Sequence, residues 1–159
     1  MLSNPILLHK LKVLRGDKHV IIDCRCGHGT TLAYLSTALY CSGVGYEAVR
    51  GRATFAKRVV EILSDHVLGV NVKVHHRNFL HTSVAISDAT IVLMYDQVFD
   101  SGVSHRLVDK IISSCPNIVA LVKYLPLPAN HAAHFHSMDI CHVHVSWSNQ
   151  HVKLSIYRR

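Results

Sequence analysis

Short apolar runs take turns with segments of helical spacing along most of this chain, and that alternation leaves few folds open. Residues 19–24 (HVIIDC), 43–48 (GVGYEA), 70–76 (VNVKVHH), 89–96 (ATIVLMYD) and 117–125 (NIVALVKYL) have the length and character of strands. Between them, residues 30–41 carry leucines at 32, 35 and 39, a helical spacing. Residues 52–66 set Phe55, Val59, Ile62 and Leu63 on one side of an amphipathic helix, and residues 104–115 are helical as well. Strands alternating with helices predict a mostly parallel sheet covered on both faces. The tail differs: DICHVHVSW and QHVKLSIYR flank SNQ, a hairpin signal. The expected fold is therefore α/β, a doubly wound, mostly parallel seven-stranded sheet with a C-terminal antiparallel hairpin.

Composition sets the bounds. A length of 159 residues is that of one domain, spanning 1–159, and 49% hydrophobic residues suffice for a core. No apolar run approaches the roughly 18 residues of a membrane span. The start, MLSNPILLHKLKVLRG, reads as a helix rather than a signal peptide, because a lysine interrupts it and no cleavage site follows. Five cysteines, at 24, 26, 41, 115 and 141, follow no disulfide framework and fit a reduced, intracellular setting. A formal charge of +7, with 14 histidines besides, favours a polyanionic partner such as nucleic acid or a nucleosome. Arg50, Arg52, Lys57 and Arg58, with Lys153, Arg158 and Arg159, are candidates for a phosphate-facing patch; a solvated face is the plainer account.

The stretch VIIDCRCGHGTT, residues 20–31, is where a ligand is expected. In an open α/β sheet, ligands bind beyond the carboxyl ends of the strands. Gly27 and Gly29 let the backbone approach a ligand, and the helix after them presents free N–H groups. Glu47 ends the second strand about 20 residues on, where an acid accepts hydrogen bonds from a ribose diol. A nicotinamide dinucleotide uses the same geometry, but its third glycine falls on Leu32 and it has no need of Asp23. An acid closing the first strand points instead to S-adenosylmethionine, whose ammonium lies nearby. On this reading Glu47 faces the cleft, so that replacing it changes folding little.

These residues resemble those of class I methyltransferases, and within them the disruptor-of-telomeric-silencing type of histone lysine methyltransferase. The resemblance runs from about Pro5 to Tyr157. DCRCGHG resembles the family's Asp-Leu-Gly-Ser-Gly-Val-Gly, GYEAVRGRATFAKRV its Gly-Val-Glu stretch, and RNFL its Gly-Asp-Phe-Leu. VFDSGVSHRLVDKI resembles the run after the family's fourth strand, and VSWSNQHVKLSIY its Val-Ser-Trp hairpin. The resemblance implies a cofactor shell of Asp23, Arg25, Gly27, Gly29, Glu47, Asn78 and Phe79, with S-adenosylmethionine as cofactor. It implies that Trp147 lines the channel for a target lysine; with the basic surface, the expected partner is a nucleosome or another polyanion, and the expected setting intracellular, the nucleus included. There are departures. Arg25 stands for the family's first glycine, Asn78 for its adenine-contacting Asp, and Tyr95-Asp96-Gln97 for its Asn-Asn-Phe. Leu154 and Ser155 replace its paired tyrosines. Fewer than 20 residues precede the first strand, where the family has a lid region, so the chain is expected to be a fragment or a degenerate member that does not catalyse.

Methyl transfer to an amine is an in-line displacement at a sulfonium, so the protein mainly positions and desolvates. The amine must be neutral, and Tyr95 and Asp96 are the expected polar contacts near it. A core aromatic and a turn residue are the plain alternatives for these two. Three functions stay open: a histone lysine methyltransferase, a methyltransferase-fold binding module without turnover, and a nucleic-acid methyltransferase. The last lacks the Asn/Asp-Pro-Pro-Tyr/Phe signature of amino-group methylation. The histidines of HAAHFH and CHVH match no standard zinc spacing, the set Cys24, Cys26 and His28 sits where the cofactor loop belongs, and no metal is expected.

Overall fold

A computed structural model of the chain describes residues 5–145 and 148–159. Seven strands form one sheet in the order β3-β2-β1-β4-β5-β7-β6. They are β1 (Val20–Asp23), β2 (Ser42–Glu47), β3 (Val72–His76), β4 (Ile91–Met94), β5 (Ala120–Lys123), β6 (Ser137–Val145) and β7 (Ser148–Arg158). The first five run parallel, β7 enters antiparallel beside β5, and β6 pairs antiparallel with β7. The helices are α1 (Pro5–Leu11), α2 (Thr30–Leu39), α3 (Arg50–His66), α4 (Ser101–Ser114) and a short α5 (Ala129–Ala132). The expected doubly wound sheet with its terminal hairpin is thus the observed one.

Alternation along each strand divides the core in two. Ile21, Leu93 and Val122 face one way and pack with Leu7, Leu11, Leu32, Leu35 and Ala56 of α1, α2 and α3. Ile22, Val92 and Leu121 face the other way, onto Leu107, Val108 and Ile111 of α4. Between β3 and β4 the connection 77–90 forms no helix and crosses this second face as a loop that buries Phe79, Val84 and Ile86.

Two expectations need correction. The stripe that α3 buries is Ala53, Ala56 and Val60, while Phe55 and Ile62 are 55% and 51% exposed. Closeness is the cause: a Cβ on Gly29 would lie 3.3 Å from the Cβ of Ala56, so only small residues fit beneath the helix. The α4 helix starts three residues before the expected position, at Ser101. Asp100 caps it by accepting a hydrogen bond from the Val103 amide at 2.8 Å, an interaction worth about 1 kcal/mol.

Candidate functional site

Strand β1 has β2 on one side and β4 on the other, and the chain leaves their carboxyl ends in opposite directions. That reversal opens a cleft at the end of β1. Asp23 closes the strand, 1% exposed, with its Oδ1 accepting a hydrogen bond from the Arg25 amide at 3.0 Å. Burial pushes its carboxyl up to about 7; the Arg25 amide opposes this and the charge of Glu47 adds to it. The loop then folds back on itself. Cys26 donates its amide to the Tyr46 carbonyl at 3.0 Å, and Gly29 donates to the Cys26 carbonyl at 2.8 Å. Gly27 (φ 55°) and Gly29 (φ 77°) hold left-handed conformations that other residues adopt only with strain.

Glu47, at the end of β2, is 1% exposed. Its Oε1 accepts hydrogen bonds from the Val49 amide at 2.8 Å and from Arg52 at 3.1 Å, and its Oε2 from the Gly27 amide at 3.1 Å. The carboxylate therefore fastens the glycine loop to the end of β2. This corrects the expectation that Glu47 matters little for folding. Since a carboxylate oxygen accepts about two hydrogen bonds, Oε2 keeps capacity for one ligand hydroxyl.

The cleft has a volume of ≈ 400 Å³, and Arg25, Glu47, Arg52, Asn78, Phe79 and Phe99 are among its walls. Asn78 accepts the Leu80 amide on its Oδ1 at 3.0 Å, which shapes the turn and leaves its amide nitrogen free to donate. Phe79 is 3% exposed, edge-on to Tyr46. Lys110 of α4 holds this segment by donating to the carbonyls of Phe79 and His81, each at 2.8 Å. Arg25 does not ion-pair with Asp23; only its backbone amide reaches that carboxylate. Its guanidinium lies over the Phe99 ring, 5.2 Å from the centroid. Tyr40 is the only non-glycine with positive φ among the described residues, so Arg25 sits in its loop without left-handed backbone strain.

Tyr95 and Asp96 follow β4 and differ in fate. Tyr95 is half-buried against Tyr124, with ring centroids 5.4 Å apart, and burial, then the charge of Asp23, pushes its hydroxyl well above the usual range. Tyr95 thus stays protonated, with its hydroxyl able to donate a hydrogen bond. Asp96 is wholly buried. Its Oδ1 accepts the amides of Tyr124 at 3.0 Å and Leu125 at 3.1 Å. Its Oδ2 accepts the Ser104 hydroxyl at 2.7 Å and lies 3.0 Å from the Lys123 ammonium. With four partners it has no lone pair for a substrate amine, and its bonds tie the end of β4 to β5 and α4. Trp147 lies outside the described residues.

The histidine-rich stretches are used locally. His131 reaches Asp109 at 2.8 Å, His28 packs edge-on against Phe55, and His142 is exposed on β6; the side chain of His144 is outside the description. Among the described residues, no group of three His, Cys, Asp or Glu is placed to hold a metal ion. Cys24 and Cys26 are buried and their thiols are pushed up by that burial, which disfavours the thiolate a metal needs. Of the basic patch, Arg52 turns inward to Glu47 and Arg158 pairs with Asp139, while Arg50, Lys57, Arg58, Lys153 and Arg159 are exposed. Among the described residues, no helix is long and apolar enough to cross a membrane.

Sequence reasoning passed over Lys123, Arg77 and Arg106. The first was detectable: a lysine inside an apolar strand needs a buried acid, and Asp96 lies two residues past the end of the neighbouring strand. Arg77 directly follows β3, at the strand end where ligands gather, whereas nothing in the sequence marks Arg106 on exposed α4.

The sequence matches no protein-family model and no curated protein. Solved structures are similar. A methyltransferase from Pyrococcus furiosus superposes with a TM-score of 0.69 at 15% identity, over 98% of this chain and 85% of that one. An RNA methyltransferase from Salinibacter ruber in complex with S-adenosyl-L-homocysteine gives 0.62 at 16%, over 97% and 88%. Magnesium protoporphyrin IX methyltransferase from Synechocystis with bound S-adenosylmethionine gives 0.68 at 12%, over 96% and 75%. This chain therefore has the class I methyltransferase fold, with its seven-stranded sheet and antiparallel β7.

Proposed function

We propose that the chain binds S-adenosylmethionine in the cleft beyond β1 and β2 and is a methyltransferase, with a protein lysine as methyl acceptor. The observation that carries the cofactor reading is the Glu47 carboxylate, which fastens the Gly27 amide at 3.1 Å and keeps one acceptor position for a ribose hydroxyl. Asp23, Gly27 and Gly29 complete that corner, and Asn78 and Phe79 form the wall for the base. When bound, the cofactor supplies an electrophilic methyl group on a sulfonium. Tyr95, whose hydroxyl stays protonated, is the candidate hydrogen-bond donor for the methyl-transfer end. The lysine acceptor, and with it a nucleosomal partner and a nuclear location, rests on the sequence resemblance around Val145-Ser146-Trp147 and the exposed Arg50, Lys57 and Arg58.

One observation favours the second reading, a binding module without turnover. The acid expected near the amine, Asp96, is sealed from the cleft by four partners. Calorimetric titration with S-adenosylmethionine and with its demethylated product tests the cofactor reading, and absence of heat from both overturns it. Transfer of a labelled methyl group to nucleosomes supports the lysine acceptor. Binding without transfer selects the second reading, and transfer to RNA alone replaces lysine as acceptor.

A further inference from the structure

The cleft carries more positive charge than a ligand with a single carboxylate answers. Four arginines line it, Arg25, Arg52, Arg77 and Arg106, against one carboxylate, Glu47, which is already bonded on both oxygens. The nearby acids do not redress the balance. Asp23 lies beneath the loop, 1% exposed, and Asp96 is neutralised by Lys123 at 3.0 Å. S-adenosylmethionine and its demethylated product each bring one carboxylate, which leaves most of these arginines without an anionic partner.

The arginines also hold unused donors. A guanidinium has five N–H groups. Arg52 places one of them on Glu47, and its Nε is buried without any hydrogen-bond partner. Arg77 gives one to the Ser83 hydroxyl at 2.7 Å. Arg106 is exposed on α4 and makes no hydrogen bond or ion pair among the described residues, and Arg25 rests on the Phe99 ring. These four come from separate elements: the loop after β1, the first turn of α3, the end of β3 and α4. Like charges gathered from four directions repel one another until an anion enters between them. The planar fork of arginine matches phosphate oxygens in pairs.

We propose that the cleft takes a phosphorylated adenosine, with Arg25, Arg52, Arg77 and Arg106 as its phosphate-binding rim. The inference rests on the reading of this corner as an adenosine site, and concerns what is attached to the adenosine. A free nucleotide and the phosphorylated end of a nucleic-acid strand share the chemistry.

The test is calorimetry on the intact chain with adenosine, ADP, S-adenosylmethionine, its demethylated product and a 5′-phosphorylated oligoadenylate. ADP is expected to bind at least about tenfold tighter than adenosine, a difference of ~1.4 kcal/mol, and to weaken steeply with salt. In the variant carrying Arg77→Gln and Arg106→Gln, both exposed positions, the ratio of ADP to adenosine affinity is expected to fall toward one. ADP binding no tighter than adenosine, while the demethylated product binds, overturns the phosphate rim and leaves the cofactor reading intact. ADP binding where neither methyl-cycle ligand binds supports the rim and overturns the cofactor. Silence from all five overturns both. Oligoadenylate binding more tightly than ADP supports the rim and names a strand end as the source, and ADP binding alone names the free nucleotide.

Discussion

Lys123 sets its ammonium 3.0 Å from Asp96 Oδ2 in a place where neither residue is more than 1% exposed. The lysine also donates to the Leu125 carbonyl at 2.6 Å, and the acid binds the Tyr124 and Leu125 amides and the Ser104 hydroxyl. One buried pair thus ties the end of β4 to β5 and α4, and fixes the segment on which Tyr95 sits.

Removing one partner of such a pair leaves a buried charge alone. Lys123→Met and Asp96→Asn are each expected to destabilise the fold by about 3–5 kcal/mol. Together they leave no charge, and the asparagine oxygen still receives the two backbone amides. The double variant should therefore recover at least ~2 kcal/mol relative to the sum of the single losses. Urea denaturation of the four proteins measures this, and strictly additive losses count against the pair.

Asp23 makes stability depend on pH. Its carboxyl is pushed up by burial to about 7 from 3.8, so between those values the folded state holds a proton that the unfolded state has released. Stability from this group is greatest at low pH, falls as pH rises toward 7, and is level above it. Asp23→Asn removes that dependence. Its melting temperature minus that of the parent should grow from pH 5 to pH 7 and then stay constant. A difference independent of pH refutes the assignment. An ammonium-bearing ligand prefers the ionised acid, so its affinity should rise with pH below 7, by up to about tenfold per unit.

Glu47 tests cofactor corner and fold together. Glu47→Gln leaves one acceptor oxygen where two now receive the Gly27 amide, the Val49 amide and Arg52. A stability loss of about 1–3 kcal/mol is expected, with adenosyl binding weakened at least tenfold at a temperature where the variant is folded. Unchanged affinity in a folded variant removes Glu47 from the site.

The architecture was legible because it rests on patterning: the central strands β1, β4 and β5 are short and mostly apolar, and the helices between the strands bury leucines and alanines. The buried face of α3 was not, because hydrophobicity favours Phe55 and Ile62 while the approach of Gly29 selects Ala56. Of the residues expected around a cofactor, Arg25, Glu47, Asn78 and Phe79 line one cleft, yet a sequence cannot show that Glu47 and Asp96 already hold protein donors. Those bonds depend on where Arg52, Ser104 and Lys123 arrive in space.

Arg25 poses the remaining question about the methyl cofactor. Its guanidinium lines the cleft, held over Phe99 at 5.2 Å, where a cation on a ring contributes about 0.5–1 kcal/mol. S-adenosylmethionine and its demethylated product have the same carboxylate and ammonium and differ in the sulfonium charge. Their affinity ratio therefore reports the field of the arginine, apart from any steric effect common to both. If Arg25 repels the sulfonium, Arg25→Gly shifts the ratio toward S-adenosylmethionine by severalfold, more at low salt than at high. If Arg25 instead clamps the carboxylate, the variant weakens both ligands alike and the ratio stays. Repulsion is the expected outcome, because Arg52, Arg77 and Arg106 line the same cleft and their fields add to that of Arg25. Parallel titrations of parent and variant at two salt concentrations decide it: a constant ratio with both affinities reduced makes Arg25 a working contact.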